Sequence, residues 1–169
     1  MQKQQESFVE LSTEAQKALF VDVCHRHTIE ACGILLGMRD AQGNWHVEET
    51  LPLRNIFDSP VYFEFSPEDL LTIELTYGER VVGVYHSHPT GYARASETDK
   101  ENMRRVNVDE QIPWLWCIIH GPFNNAFIHR HNGRVTGATM RAYHHYVDKG
   151  LQQVHIHVEK NGELLRSNE

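Results

Sequence analysis

The sequence predicts an α/β (α+β) fold, a single domain in which a mixed β-sheet is packed by helices. The length of 169 residues suits one domain better than two. The composition, 40% hydrophobic and 23% charged residues, is that of an ordinary globular protein. Segments with helical periodicity alternate along the chain with short apolar runs of strand length. This order is typical of a sheet with helices packed on it.

A helix and a hairpin are predicted in the first part of the chain. Residues 1–12 are mostly polar and are predicted to form a flexible N-terminus. A helix is predicted over 13–27, because apolar residues recur there at helical spacing. The glycine-bounded apolar run 31–37 predicts a buried strand, and the alternating residues 45–53 predict the second arm of a hairpin.

Two further helices flank a predicted central strand. Ser66 is a helix cap followed by proline at the first helical position, so a helix is predicted from there to Tyr77. The apolar run 81–85 predicts the central strand, and a helix is predicted over 97–108. The remaining strands are predicted over 113–120, 125–131 and 154–159, with a tight turn at Asn132-Gly133.

Net charge and cysteine content exclude several classes of protein. The formal charge of −7 argues against general binding to nucleic acid or to an anionic membrane, because both need clustered Lys and Arg. The three cysteines are odd in number and widely spaced, which favours reduced thiols over a disulfide framework. The N-terminus has no apolar signal core, and no segment approaches the roughly 18 apolar residues of a membrane span. We therefore expect a cytoplasmic protein.

Two histidines at the end of the predicted central strand have the spacing of metal ligands. His86 and His88 are two residues apart, so their side chains point to one side of the strand, with Cα atoms about 7 Å apart. At that separation both imidazoles can reach one ion at about 2.0–2.1 Å. Pro89 ends the strand where the ligands would meet open space.

A serine and two carboxylates complete the candidate site. Ser96 and Asp99 lie at the start of a predicted helix, and the seven residues 89–95 connect them to the histidines. Two histidines and the Asp99 carboxylate leave a fourth position for water, which is the pattern of a catalytic zinc site. Glu30 directly precedes the buried strand and is the candidate acid/base, because partial burial there would raise its pKa.

Each of these features also has a purely structural interpretation. A single His-x-His pattern is a weak signal, since residues 129–131 and 155–157 repeat it. Residues 96–99 resemble a capping box, in which the serine and the acid satisfy backbone amides and do nothing else. Glu30 alone could be an ordinary surface carboxylate. Only the joint occurrence of these residues favours a metal site.

Together the residues resemble the motif of the JAMM (MPN+) metalloprotease family. The motif consists of His86-Ser87-His88-Pro89, Ser96 and Asp99, preceded by a glutamate strand that matches residues 30–37. The resemblance extends over about residues 13–131 and points to compact bacterial members of the CysO-cysteine peptidase type. It implies a JAMM/MPN-like domain over 13–136 with cytidine-deaminase-like layering. We expect the C-terminal extension, 137–169, to pack on the same domain.

The resemblance also implies roles for the site residues. One Zn²⁺ per chain would be bound by His86, His88 and Asp99 together with a water. Glu30 would activate that water, and Ser96 would help to stabilise the tetrahedral intermediate. Family members cut peptide or isopeptide bonds after the C-terminal Gly-Gly of ubiquitin-like proteins. The expected partner is therefore a ubiquitin-like or sulfur-carrier protein with a Gly-Gly tail.

The sequence is consistent with three interpretations of function. The favoured one is a zinc metallopeptidase that removes residues following the Gly-Gly of a sulfur-carrier type protein. The first alternative is an isopeptidase that releases a ubiquitin-like protein from conjugated targets, and the second is a non-catalytic ubiquitin-like-binding module. A nucleobase deaminase would need His-x-Glu together with Pro-Cys-x-x-Cys, and the cysteine string is absent from this chain. The string HExxH is also absent, which excludes that class of protease.

Overall fold

The structure, a computed structural model, describes residues 6–160 and 163–165. Within these residues the chain forms eight β-strands and four α-helices. Their bounds are β1 Phe8–Leu11, α1 Thr13–His25, β2 Cys32–Arg39, β3 Trp45–Leu53, α2 Pro67–Tyr77, β4 Val81–His88, α3 Glu97–Arg104, β5 Leu115–His120, α4 Asn125–His131, β6 Met140–Tyr146, β7 Gly150–Lys160 and β8 Glu163–Leu165.

All eight strands belong to one mixed sheet, which confirms the predicted fold class. The strand order is β1-β3-β2-β4-β5-β6-β7-β8, and β1 also pairs with β7, so the sheet closes on itself. Strand β4 is parallel to β5, and β1 is parallel to both β3 and β7. The other adjacent pairs are antiparallel. Strand β4 therefore lies between β2 and β5, which places its C-terminal end in the middle of the sheet.

Two hydrophobic clusters bury the central strands on both faces. Along β5 the buried side chains alternate between them, so that Cys117 belongs to the first cluster and Ile118 to the second. The first cluster includes residues of α1 and α4, and the second includes residues of α2 and α3. Val84 of β4 belongs to the second cluster. Since side chains two residues apart share a face, His86 and His88 point to the side covered by α2 and α3.

The predicted helices in the first two thirds of the chain are confirmed. Helix α1 begins after Ser12, whose hydroxyl accepts a hydrogen bond from the Ala15 amide, and α2 is capped in the same way by Ser66. Gly78 follows α2 with a φ of 49° and ends that helix as expected. The helix predicted over 97–108 consists of α3 followed by a π-helical segment, Arg105–Asp109.

The strand predicted over 125–131 is wrong, because these residues form α4. Asn124 caps the helix by accepting a hydrogen bond from the Phe127 amide. Phe127 is buried while Ile128 is 44% exposed, so the segment buries one helical stripe instead of every second residue. Asn132, with a φ of 48°, ends the helix in a left-handed conformation. The Asn132-Gly133 pair is therefore a helix terminus and not a hairpin turn.

The predicted flexible N-terminus is wrong for residues 8–11, which form β1. Val9 and Leu11 are fully buried, since β1 inserts between β3 and β7. The strand predicted over 154–159 is part of the longer strand β7. Strand β6 was not predicted from the sequence. Strands β6, β7 and β8 continue the same sheet from within the segment 137–169. The rest of the two predicted terminal segments, 1–5, 161–162 and 166–169, lies outside the described residues.

Within residues 6–160 and 163–165, no helix combines the length and the hydropathy that crossing a bilayer requires.

Candidate metal centre

The end of β4 supplies the two candidate histidine ligands. His86 is 1% exposed and His88 is 5% exposed, so both imidazoles are removed from bulk water. Their Nε2 atoms lie 3.2 Å apart. Nδ1 of His88 donates a hydrogen bond of 2.7 Å to the Tyr92 carbonyl oxygen. That bond leaves Nε2 of a neutral His88 as the atom with a lone pair facing the site.

The Asp99 carboxylate faces both histidines from the first turn of α3. Its Oδ1 lies 3.2 Å from Nε2 of His86, and its Oδ2 lies 3.2 Å from Nε2 of His88. Ligand atoms of a tetrahedral zinc ion at 2.0–2.1 Å are separated by about 3.3 Å. These separations are of the size found between ligands of one zinc ion, and each histidine faces a different oxygen of the carboxylate. This donor set, two imidazoles and one carboxylate, fits a zinc ion with an open fourth position.

Ser96 and Asp99 also form the capping box of α3. The Ser96 hydroxyl accepts a hydrogen bond of 3.1 Å from the Asp99 amide, and Asp99 Oδ2 accepts one of 2.8 Å from the Ser96 amide. The structural and the metal-binding interpretations are therefore compatible, because the cap orients the carboxylate towards the histidines. A rigid cap of this kind holds a ligand without a conformational cost on metal binding.

The ionisation of the three candidate ligands is strongly coupled. Burial opposes the charge on Asp99, but hydrogen bonds from His86 and His88 outweigh it, so its pKa lies well below the usual range. Burial lowers the pKa of His86, although Asp99 acts in the opposite sense. Burial also acts to lower the pKa of His88, but bonds to Asp99 and to the Tyr92 carbonyl raise it overall. A metal ion needs an anionic carboxylate and neutral imidazoles, so its binding would displace any proton that His88 holds.

Glu30 lies beside this trio and is itself buried. Its side chain is 6% exposed, and Oε1 lies 3.8 Å from Nε2 of His88. Burial raises the pKa of Glu30 to about 8, with the charge on His88 opposing the rise and that on Asp99 adding to it. A carboxyl group with a pKa near neutrality can both accept and return a proton.

Two sets of metal ligands can be formed from these four side chains. Ligand atoms of Glu30, His86 and His88 lie within 4.8 Å of one another. Asp99 is closer, at 3.2 Å from each histidine, whereas Glu30 is 3.8 Å from His88. The shorter and more even spacing favours Asp99 as the third ligand. Glu30 then lies beside the metal ligands without binding the metal.

Hydrogen bonds hold the backbone on both sides of the Glu30 side chain, and the residues that make them were not identified from the sequence. The Glu30 amide donates a hydrogen bond of 2.8 Å to the Ser59 carbonyl, and its carbonyl accepts one of 3.1 Å from Nδ2 of Asn55. The next amide, of Ala31, donates to the Ser87 hydroxyl at 2.8 Å. Ser87 lies between the two histidines, so it connects the glutamate strand directly to the ligand strand.

An aromatic residue covers the other side of the candidate ligands. The ring of Phe63 stacks on the His86 ring, with 4.5 Å between centroids and 25° between planes. Residues 61–63 lie over Glu30 and Ser96 and leave a cavity of about 10 Å³ between them. The sequence analysis did not identify this cover, and the signal that could have indicated it is the aromatic content of residues 57–65.

The other polar residues weighed from the sequence lie apart from this centre. Cys32 pairs with His86 across β2 and β4 but is fully buried, and its Sγ faces the Leu53 carbonyl at 3.6 Å. The segment 129–131 lies on α4, and 155–157 lies on β7. Within the part of the chain that the structure describes, no other group of three or more His, Cys, Asp or Glu converges as closely.

Fold and site define a JAB domain, and the comparison with known families agrees. Residues 12–136 match the family described as prokaryotic homologs of the JAB domain, so the chain belongs to that family. A protein named desampylase from Pyrococcus furiosus is 33% identical over 96 residues, which are 55% of this chain and 61% of that protein. A desampylase from Haloferax volcanii is 37% identical over 76 residues, 43% of this chain and 52% of that protein. The chain thus spans a little over half the length of these relatives.

Among the solved structures that resemble this chain, two cover about nine tenths of it. A Desulfitobacterium hafniense protein studied in solution superposes with a TM-score of 0.65 at 26% identity, covering 91% of this chain and 94% of that one. A JAB1/MPN domain protein from Archaeoglobus fulgidus gives a TM-score of 0.51 at 20% identity, covering 89% and 99%. The second likeness concerns the fold alone.

Proposed function

We propose that the chain is a zinc-dependent metallopeptidase that hydrolyses the peptide bond after the C-terminal Gly-Gly of a ubiquitin-like protein of the sulfur-carrier type. One observation carries this proposal. The Asp99 carboxylate and two imidazoles lie 3.2 Å from one another, and a buried fourth group, the Glu30 carboxyl, lies 3.8 Å from His88. Membership of the JAB family and similarity to two proteins named desampylase support it.

Each side chain has a distinct role in this proposal. His86, His88 and Asp99 hold one zinc ion, which supplies Lewis acidity to the scissile carbonyl and lowers the pKa of a water. Glu30 takes a proton from the attacking water and returns it to the amine that leaves. The Ser96 hydroxyl, whose oxygen already accepts from the Asp99 amide, is free to donate its own hydrogen to the developing oxyanion.

The narrowness of the site supports a glycine-containing substrate. The space enclosed by Glu30, Ser96 and residues 61–63 measures about 10 Å³, enough for roughly one water molecule. A chain that passes beside Glu30 must therefore be thin. Two glycines lack side chains altogether and can lie extended in such a groove.

The relatives named desampylase favour a second specificity. Their name denotes the removal of a ubiquitin-like modifier from its conjugates, which makes an isopeptidase a competing candidate for this chain. The same five residues and the same acyl side of the substrate would serve both reactions. Only the leaving group differs, an α-amine in one case and a lysine side chain in the other.

A non-catalytic binding module is less consistent with the structure. Glu30 is buried, and burial raises the pKa of its carboxyl to about 8. A buried carboxyl of that kind destabilises the fold, and a binding module would gain nothing from it.

Intact mass spectrometry tests the proposal. The substrate is a ubiquitin-like carrier with four residues after its Gly-Gly, and a second substrate carries the same protein on a lysine side chain. Wild type, Glu30→Gln and Glu74→Gln, an exposed carboxylate of α2, are compared after zinc loading. We expect the wild type and Glu74→Gln to remove the four residues and Glu30→Gln to leave them. Cleavage of the lysine conjugate alone would favour the isopeptidase, and cleavage of neither would overturn the proposal.

A further inference from the structure

A row of basic side chains, one arginine between two histidines, extends from the metal centre across the sheet. His120 of β5 is the register partner of His88, and register partners point to the same face. Arg141 of β6 is the partner of Ile118, two residues before His120, and faces the same side. His155 of β7 lies two residues beyond Gln153, the partner of Tyr143, and continues the row. The row thus begins beside His88 on the side of β4 away from Glu30.

These side chains line a cleft, which we call the cationic trough. It has a volume of about 510 Å³ and is defined by His120, Arg141, Gln153 and His155. A second cleft of about 460 Å³ adjoins it at His120 and adds Arg130 and His131. No carboxylate among the described residues lines either cleft.

The absence of acids from the lining is unusual for this chain. The whole sequence has 23 acidic and 16 basic residues and a net charge of −7. At the far end of the trough, Glu6 approaches His155, with Oε2 3.6 Å from Nε2 and both side chains exposed. Closer to the metal centre, the charges of Arg141, His88 and His131 all act on His120, adding to burial in lowering its pKa.

Two buried polar atoms in this region have no hydrogen-bond partner among the described residues. One is Oγ1 of Thr139, a residue 6% exposed that lines the second cleft beside His120. The other is Nε of Arg141, whose Nη1 donates a bond of 3.3 Å to Oε1 of Gln153. The Arg141 guanidinium therefore has hydrogen-bonding capacity that Gln153 does not use, and as a lining residue of the trough it can pair with a carboxylate.

The position of the trough relative to Glu30 determines which part of a substrate it can contact. Glu30 and the covering residues 61–63 lie on the β2 side of His88, whereas the trough lies on the β5 side. A substrate whose Gly-Gly lies against Glu30 would therefore direct its leaving group towards His120. Arg141 on β6 lies two strand spacings, about 10 Å, from β4, which an extended peptide of about three to four residues would span.

We propose that the cationic trough binds the leaving segment of the substrate, a peptide of up to about four residues that ends in a free carboxylate. This proposal rests on the proposed function and narrows its substrate class to C-terminally extended ubiquitin-like proteins. The carboxylate pairs with the guanidinium of Arg141, the one arginine or lysine that lines the trough in the part of the chain that the structure describes. A lysine-linked conjugate carries no free carboxylate so close to the scissile bond.

Binding of the leaving segment alone tests the trough independently of catalysis. Full-length, zinc-loaded ¹⁵N-labelled protein is titrated with the peptide Ala-Ala-Ala with a free carboxylate and with its C-terminal amide. We expect the free acid to bind about tenfold more tightly or better, as for a charge-assisted hydrogen bond, and to shift the amides of His120, Thr139 and Arg141. Arg141→Gln should abolish the preference and Arg141→Lys should restore part of it. Arg80→Gln, an exposed arginine at the other end of β4, is the matched control.

Cleavage of the extended carrier separates the two proposals. The carrier is prepared with three alanines after Gly-Gly, as the free acid and as the amide. We expect kcat/KM for the free acid to exceed that for the amide by about tenfold in wild type and to be equal in Arg141→Gln. Equal cleavage of both by the wild type would overturn the trough and leave the proposed function standing. No cleavage, with acid-selective binding intact, would overturn the proposed function instead, and equal or absent binding of acid and amide would overturn the trough.

Discussion

Two buried carboxyl groups near β4 differ in how their burial is compensated. Asp22 accepts hydrogen bonds of 2.7 Å from Nε and Nη2 of Arg26 and one of 2.7 Å from the Tyr85 hydroxyl. Glu30 is equally buried, but the nearest cationic group is the His88 imidazole at 3.8 Å. Asp22 therefore stabilises the fold, whereas ionised Glu30 opposes it, which is typical of a residue retained for chemistry.

The free energy of unfolding of the metal-free protein should depend on Glu30 in a specific pH window. The carboxyl of the unfolded chain ionises near the ordinary glutamate pKa of 4.5, whereas that of the folded chain has a pKa of about 8. Between these values only the unfolded chain releases the proton, so stability falls as pH rises and the loss is complete above pH 8. We expect Glu30→Gln to remove this loss and to be more stable than wild type at pH 8 by on the order of a few kcal/mol.

Urea unfolding of metal-free protein at several pH values from 4 to 9 measures this effect. Glu74→Gln removes an exposed carboxylate and serves as the control. If wild type and Glu30→Gln kept a constant difference in unfolding free energy across this range, Glu30 would titrate normally and its role as acid/base would lose its physical basis.

At the scale of the element, the N-terminus of α3 combines a cap with a functional side chain. Ser96 and Ser66 make the same bond, since each hydroxyl accepts from the backbone amide three residues later. Ser66 lies at the start of α2, whereas Ser96 lies beside Glu30 and Asp99. A comparison of the two serines therefore distinguishes the effect of a helix cap on stability from an effect on catalysis.

Substitution of each serine by alanine should therefore give similar stability and different activity. We expect Ser96→Ala and Ser66→Ala each to lower the unfolding free energy by about 1 kcal/mol, the usual cost of a lost N-cap. Only Ser96→Ala should lower kcat, by about a hundredfold, as for loss of an oxyanion donor. Chemical denaturation and steady-state kinetics measure the two quantities. Equal kcat in both variants would show that Ser96 is a cap alone.

Local patterns in the sequence indicate the candidate site residues but not the distant residues that hydrogen-bond to the backbone around them. His86, His88 and Asp99 sit at element ends whose spacing is visible in the chain itself. The residues that support Glu30 are distant in the sequence. Asn55, which binds the Glu30 carbonyl, is 25 residues away. Ser87, which binds the amide of Ala31, is 56 residues from Ala31. No local pattern encodes such contacts. Helix α4 was missed for a related reason, because a segment of seven residues is too short for its period to be read.

At the scale of the whole molecule, closure of the sheet depends on the short strand β1. Strand β1 has four residues yet pairs with both β3 and β7. Val9 and Leu11 of this strand are fully buried in the cluster under α1. The sequence predicted a flexible segment here, because four residues beside a polar stretch give a weak signal and the pairing partners are distant.

Removal of β1 should destabilise the whole domain. Burial of Val9 and Leu11 contributes roughly 3–6 kcal/mol, so deletion of residues 1–11 should lower the Tm by roughly 10 °C or more. Deletion of residues 1–5, which precede the strand, is the control. Thermal unfolding by circular dichroism measures both. A deletion of 1–11 that left the Tm unchanged would contradict the role of β1 in closing the sheet.

Zinc stoichiometry, measured by native mass spectrometry, tests most directly whether His86, His88 and Asp99 bind the metal while Glu30 serves as the acid/base. Wild type, Asp99→Asn and Glu30→Gln are loaded with zinc and desalted before measurement. We expect one zinc per chain in wild type and in Glu30→Gln, and none in Asp99→Asn, because Asp99 lies 3.2 Å from both histidines. Zinc retained by Asp99→Asn and lost from Glu30→Gln would contradict this division and make Glu30 the third ligand.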